Sequence, residues 1–303
     1  MIISEAFLGL LVHPIYKTPL YLKNDALTDG EHEDFFVFRE NVPILLTDNL
    51  NASLTTTERH EQAGTQFQYK EHYQNDAAAY DYTEQSENPV EREEINRLHQ
   101  TILSQVPEKA DWTLDVGCGG AWLSQKLVAR KQNVISMDIS DINPIKAIKK
   151  NPSAYHHALV ADVFELPFKQ DSVDCIVASE IIEHVPDPKK FLAELFNVLK
   201  PGGKLIVTTP YNELIRTSLC IHCNQLTPHN AHLHSFTEKS IQQYLPKEAK
   251  KVDMKVFNSK LLVKAHIQKL LDFLPLSLWE GLDKAAIAVT AKKAYRLMIV
   301  VQK

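Results

Sequence analysis

Between residues 112 and 210 short apolar stretches alternate with amphipathic ones, and few folds accept that rhythm. TLDVG, NVISMDIS, HHALVAD, VDCIVASE and KLIVTTP have the length and β-branched content of strands. AWLSQKLVARK, NPIKAIKKN and PKKFLAELFNVLK carry apolar residues at helical spacing. Strands that stay apolar along their length are buried on both faces, so the alternation predicts an α/β fold whose parallel sheet is covered by helices on each side. Downstream, the spacing predicts a helix over FTEKSIQQYLPK capped by Thr237, a strand over KKVDMKVFNS, helices over LLVKAHIQKLLDFL and PLSLWEGLDKAAIAV, and a closing strand AYRLMIVVQ.

This pattern occupies residues 89–303, with Pro89 at a helix start and a His- and Cys-rich insertion at 211–236. Residues 1–50 read as a small β-rich module. Its two stretches, LGLLVHPIYKTPLYLKN and FFVFRENVPILLTDN, are separated by the polar DALTDGEHED. Residues 51–88 read as a linker that turns into a tyrosine-studded cap segment with Tyr69, Tyr73, Tyr80 and Tyr82. The opening MIISEAFLGLLVHP lacks positive leading residues and a cleavage site, so it reads as part of a folded module and not as a signal segment. A net charge of −5 gives no general attraction to nucleic acid or anionic membrane. Four cysteines are too few for a disulfide framework and suit a reducing, cytoplasmic setting. No apolar run reaches the length of a membrane span.

LDVGCGGAWL, residues 114–123, places three glycines within four residues directly after the first strand. A bare backbone there suits a ligand at the carboxyl edge of the sheet, beside a helix N-terminus. The dinucleotide fingerprint would need a third glycine where Trp122 stands, and no Gly-Lys-Ser/Thr follows to make a phosphate loop.

LDVGCGGAWL, SMDIS, ADVFELPF, VDCIVASEIIEHVPDP and LKPGGKLIVTTP resemble, in order and spacing, the motifs of class I S-adenosylmethionine-dependent methyltransferases. The resemblance implies a Rossmann-like sheet of seven strands, mostly parallel with the last antiparallel. It also implies a cofactor, S-adenosylmethionine, and assigns it residues. Asp115, Gly117, Cys118 and Gly119 match the first-motif loop under the methionine part. Asp138 matches the acid on the ribose hydroxyls, with Ile139 beside it. Asp162 and Val163 match the pair that meets adenine. Ser179 and Glu180 match the sulfonium and substrate side, and Tyr80 belongs to a cap that closes over the cofactor. The family usually has Gly where this chain has Ala121.

Glu183 and His184 follow the fourth strand, and the same pair occurs in family members that methylate oxygen on small molecules. There His184 is a candidate base for a hydroxyl proton, its other reading being a residue packed on the next helix. CIHCNQLTPHNAHLHSF has a Cys-x-x-C and three histidines. Cys220, Cys223, His232 and His234 would complete a tetrahedral zinc site, while HLHSFT equally resembles a family segment that places a histidine near substrate. The N-terminal stretch resembles small zinc-ribbon-like activators of methyltransferases over residues 8–48, with His13 and Tyr16 where the first cysteine pair stands. That implies a module docked on the catalytic domain and folded without its metal.

The expectation is methyl transfer to a small-molecule acceptor, at oxygen, within biosynthesis. Two alternatives stay open: a methyltransferase for RNA or a translation protein, and a non-catalytic ligand-binding protein that keeps the fold.

Overall fold

A computed structural model describes residues 3–47, 68–84, 86–221, 224–265, 267, 271 and 273–303. The helices are α1 (Glu5–Leu8), α2 (Tyr69–Ala79), α3 (Pro89–Leu103), α4 (Trp122–Ala129), α5 (Ile142–Lys150), α6 (Pro188–Val198), α7 (Lys260–Lys264) and α8 (Leu276–Val289). The strands are β1 (Tyr21–Lys23), β2 (Ala26–Thr28), β3 (Phe36–Arg39), β4 (Val42–Leu45), β5 (Trp112–Val116), β6 (Asn133–Asp138) and β7 (His156–Ala161). They continue with β8 (Val173–Ser179), β9 (Leu199–Pro210), β10 (Thr217–Leu219), β11 (Leu226–Pro228), β12 (Lys251–Ser259) and β13 (Ala294–Gln302).

Local chemistry starts two of the helices where the sequence places them. Asn88 accepts the Val90 N–H ahead of Pro89, and Asp187 accepts the Lys189 and Lys190 N–H groups ahead of Pro188. FTEKSIQQYLPK departs from expectation: Ser240 and Thr237 bond each other, and only a single 3₁₀ turn, Ile241–Tyr244, follows.

The main sheet runs β1-β2-β3-β4-β7-β6-β5-β8-β9-β13-β12. From β4 to β9 the pairs are parallel, and β13 is antiparallel to both neighbours. Burial alternates along each central strand. Leu114, Ile176, Ala178, Leu205 and Val207 pack on one face with Phe191, Leu192 and Leu195 of α6. Val134, Cys175, Val177 and Ile206 pack on the other with Leu98 and Ile102 of α3 and Leu123 and Leu127 of α4. This two-faced burial is why the strands read as continuous apolar runs. Among the described residues no helix is long and apolar enough to cross a membrane.

Eleven strands stand where the resemblance implied seven, because the four N-terminal strands β1 to β4 continue the sheet. Ile44 and Leu45 pair with Val160 and Ala161 of β7. The polar separator also holds a strand, β2, whose Ala26, Leu27 and Thr28 are all buried. The module is tied by a histidine–carboxylate network. His13 is fully buried; its Nδ1 accepts the Ile15 and Tyr16 N–H groups and its Nε2 meets Asp34 Oδ2 at 3.0 Å. His32 pairs with Asp29 at 2.7 Å and stacks on Tyr16 with ring centres 3.5 Å apart. With both nitrogens of His13 engaged, no ligand atom of that ring is spare for a metal.

Candidate active site

The carboxyl ends of β5, β6, β7 and β8 open onto one cleft of about 2550 Å³. A single ligand pocket spans roughly 300–1,000 Å³, so this cleft has room for two molecules side by side.

The β5–α4 turn forms its floor. Gly117 has φ +68°, and a Cβ there would meet Ile181 Cδ1 at 2.2 Å. Gly119 has φ +41°, and a Cβ on Gly120 would lie 2.0 Å from the Tyr82 carbonyl oxygen. Ala121 caps α4 at φ +60°, taking the left-handed conformation that glycine would adopt freely. Its methyl is buried with Cys118 and Ala147, so the chain keeps the turn with a residue that also fills space. Cys118 is buried in that same small cluster and does not line the cleft, whereas Gly117 and Gly119 on either side of it do.

Asp115 is buried at the base of the turn, with Oδ2 lacking a hydrogen-bond partner among the described residues. Burial, and then the charge of Asp138, push its carboxyl up to about 7. Such an orphaned carboxylate suits a cationic ligand group. Asp138 ends β6, where Ser140 N–H donates to Oδ1 and Asn143 Nδ2 to Oδ2, both at 3.0 Å. Ile139 lines the cleft beside it. Asp162 ends β7 with Val163 next to it; Phe164 N–H donates to its Oδ1 at 3.0 Å. Tyr69 Oη donates to Asp162 Oδ2, and Lys70 Nζ lies 3.3 Å from the same atom, so α2 is fastened over this end of the cleft.

Of the cap tyrosines, Tyr80 lines the cleft and is 65% exposed, and Tyr69 and Tyr82 make the closer contacts. The resemblance singled out Tyr80 among them, while spacing alone does not say which ring turns inward.

The other end of the cleft is built by the β8–α6 loop. Ser179 Oγ lies 3.0 Å from Thr208 Oγ1. Glu180 has φ +57° and pairs with Arg296 Nε at 2.9 Å. Burial pushes its carboxyl up, with Arg296 opposing. Glu183 is 1% exposed; Thr209 Oγ1 donates to its Oε2 at 3.0 Å, while its Oε1 has no hydrogen-bond partner among the described residues and lies 3.9 Å from His184 Nε2. Burial and then the Glu180 charge hold Glu183 well above the usual carboxylate range. Burial and then His232 push His184 down to about 4, which keeps its imidazole neutral but makes it a weak base. Tyr73 packs edge-on against His184 with centres 5.8 Å apart. Arg296 of β13, Glu94 of α3 and Glu213 of the insertion meet this end of the cleft from distant parts of the chain, and no local motif announces them.

The insertion does not assemble the expected zinc set among the described residues. Cys223 lies outside them, and Cys220 sits past β10 in the β10–β11 hairpin, joining no group of three ligands. His234 Nε2 lies 3.0 Å from the Val185 carbonyl. His232 turns the other way, 2.5 Å from Glu213 and with its ring centre 4.7 Å from that of His184. Thus His232 joins the β8–α6 loop and not the cysteine.

Comparison with known proteins places these features. Residues 114–207 match the family model described as a methyltransferase domain. A ubiquinone biosynthesis O-methyltransferase from Coxiella burnetii is 33% identical over 110 residues, which is 36% of this chain and 47% of that protein. The chain spans about half the length of the curated relatives it matches. Among solved structures, the cyclase SpnF has a TM-score of 0.51 at 17% identity, covering 82% of this chain and 96% of its own. A provisionally assigned S-adenosylmethionine-dependent methyltransferase from Listeria monocytogenes has a TM-score of 0.50 at 14% identity, covering 69% and 98%. The stretch from Leu114 to Val207, which carries the glycine turn, Asp138, Asp162 and the Glu183-His184 pair, is therefore the part of this chain that is similar to the methyltransferase domain family.

Proposed function

We propose that the protein transfers the methyl group of S-adenosylmethionine to a hydroxyl of a small molecule. The observation that carries this reading is the opening of two chemically distinct ends onto one cleft: the glycine turn with Asp138, Asp162 and Val163, and the loop with Glu180, Glu183 and His184. When bound, S-adenosylmethionine supplies a methyl group already activated by its sulfonium. The chain's residues then do the positioning. Gly117 and Gly119 let the backbone approach the ligand, Asp115 answers a positive group, Asp138 takes ribose hydroxyls, and Asp162 with Val163 takes adenine. Tyr69 holds the cap helix on Asp162, and Tyr82 covers the glycine turn.

Oxygen as the acceptor atom is supported by the neutral, buried surroundings of Glu183 and His184 and by the relatives' being O-methyltransferases by name. RNA is disfavoured by the acid-rich rim, where Glu71, Glu84, Glu91 and Glu213 line the cleft. The N-terminal module serves as a brace in cis. Val12 N–H donates to the Pro167 carbonyl, Lys17 Nζ to the Leu166 carbonyl at 2.9 Å, and Thr47 Oγ1 to Glu165 Oε2 at 2.6 Å. These bonds hold the segment that follows Asp162.

Titration calorimetry with S-adenosylmethionine tests the reading. Saturable binding is expected, weakened about 100-fold or more in Asp138→Ala, with label transferred from methyl-labelled cofactor to small phenols and not to RNA. Absence of heat with the folded protein would leave only a ligand-binding relic of the fold.

A further inference from the structure

Helix α8 keeps a carboxylate inside and leucines outside. Its inner face carries Trp279, Asp283, Ala286 and Ile287, all buried. Asp283 accepts the Asn258 and Ser259 N–H groups at 2.9 and 2.7 Å, and the Arg97 guanidinium carbon lies 4.7 Å over the Trp279 ring. Those contacts fix the helix against β12 and α3 and settle which face is left outside. Leu278, Leu282, Ala285 and Val289 follow one another at spacings of four, three and four, so they share that outer face, with Gly281 and Ala288 beside them. Leu278 is 58% exposed, Leu282 44% and Val289 79%.

Glycine weakens a helix interior, and a Cβ at Gly281 would meet nothing within 4 Å. Packing inside this chain gives no reason for it; close approach of another helix does. Gly281, Ala285 and Ala288 make a shallow groove alongside the ridge of Leu278, Leu282 and Val289, a surface complementary to itself. In an antiparallel pair about a two-fold axis, Leu282 lies opposite Ala285 of the partner subunit and Leu278 opposite Val289 of the partner subunit, so each ridge enters the other groove. Phe273, 73% exposed just ahead of the helix, extends the face. Two such faces cover on the order of 1,000 Å², the lower bound for specific association of proteins. The charges of α8 are two acids, Glu280 and Asp283, against one lysine, Lys284. That balance gives no attraction to an anionic bilayer, whereas helices that lie on membranes are rich in Lys and Arg.

We infer that the outer face of α8 docks on the same face of a second copy of this chain, forming a two-fold dimer. The covered area sets its strength: association is reversible, with a dissociation constant of about 1–100 μM. No residue of α8 lines the cleft, so the clefts of both copies stay open. The dimer therefore stands apart from the methyl-transfer reading, and cofactor binding is the same in monomer and dimer.

Sedimentation velocity of the full chain tests it. Wild type is expected to pass from monomer to dimer between about 1 and about 200 μM. Leu282→Glu should weaken association at least about 100-fold, because the two-fold axis brings the substituted position into the interface twice. Gly281→Leu separates this dimer from non-specific adhesion. It adds apolar surface and helix propensity, so non-specific association would strengthen. It also fills the groove, so the ridge-into-groove dimer should weaken at least about 10-fold, while the melting temperature of the dilute monomer stays level or rises. Should Leu282→Glu fail to fold, Gly281→Leu decides. Flotation with vesicles of phosphatidylcholine and phosphatidylglycerol is expected to leave the protein in the dense fraction. A wild type still monomeric at about 200 μM, flotation with these vesicles, or Gly281→Leu associating as tightly as wild type would overturn the inference.

Discussion

Burial, and then the charge of Asp138, push the Asp115 carboxyl up to about 7. A cationic ligand placed beside it stabilises the ionised form, so binding should expel a proton. Near pH 7 S-adenosylmethionine is expected to release up to about half a proton, read from calorimetry in buffers of different ionisation enthalpy. Asp115→Asn should abolish the release. A second consequence lies in the turn above it. Because a Cβ on Gly120 meets the backbone of Tyr82 and not a movable side chain, Gly120→Ala must push that segment away. Cofactor affinity should fall about 10-fold or more by calorimetry, about 1.4 kcal/mol, with little change in melting temperature because the displaced segment is half exposed.

Helices α3 and α4 meet through His99, which stacks on Trp122 with ring centres 3.8 Å apart. Burial, and then Lys126, push His99 down to about 4. Its ordinary value is about 6.5, so between pH 6.5 and 4 the unfolded chain takes up a proton that the folded chain refuses. Stability from this residue is therefore full above pH 6.5 and drains as pH falls towards 4. His99→Phe keeps an aromatic stack without a titrating group. The difference in unfolding free energy between the variant and wild type should shift in the variant's favour by about 2–3 kcal/mol across that window, measured by denaturant melts at pH 7 and pH 4.5. A pH-independent difference would mean that the ring is charged or solvated in the fold.

The N-terminal module and the catalytic sheet share one ladder through β4 and β7, and one core that includes Phe7, Leu27 and Leu45 together with Leu159 and Phe168. Leu45 is 1% exposed at that seam. Leu45→Ala should cost about 2–5 kcal/mol and lower a single melting transition in differential scanning calorimetry. Two separated transitions would show that the module folds independently. The centre of the seam is apolar and closed by backbone bonds, which salt does not screen, and the Arg39–Asp141 and Lys149–Glu40 ion pairs cross its outer side.

The order of strands and helices from Thr113 to Pro210, the glycine turn and the acids ending β6 and β7 could be read from the chain, because each depends on neighbours a few residues away. Periodicity, a cap, or a glycine at a forced φ is local physics. The β2 strand was hidden because ALT inside a polar run has no period long enough to register, and its burial comes from β1 and β3 folding around it. FTEKSIQQYLPK looked helical by spacing, yet only one 3₁₀ turn formed, because the segment's side chains found partners in α6 and Tyr211. His232 is the clearest case: its sequence neighbourhood left open both a set with Cys220 and Cys223 and a place near substrate, and its actual neighbours are Glu183, His184 and Glu213. Which of several histidines faces a carboxylate 49 positions away depends on long-range bonds such as those from the Leu233 and His234 N–H groups to the Glu183 carbonyl, about which the local pattern carries no information.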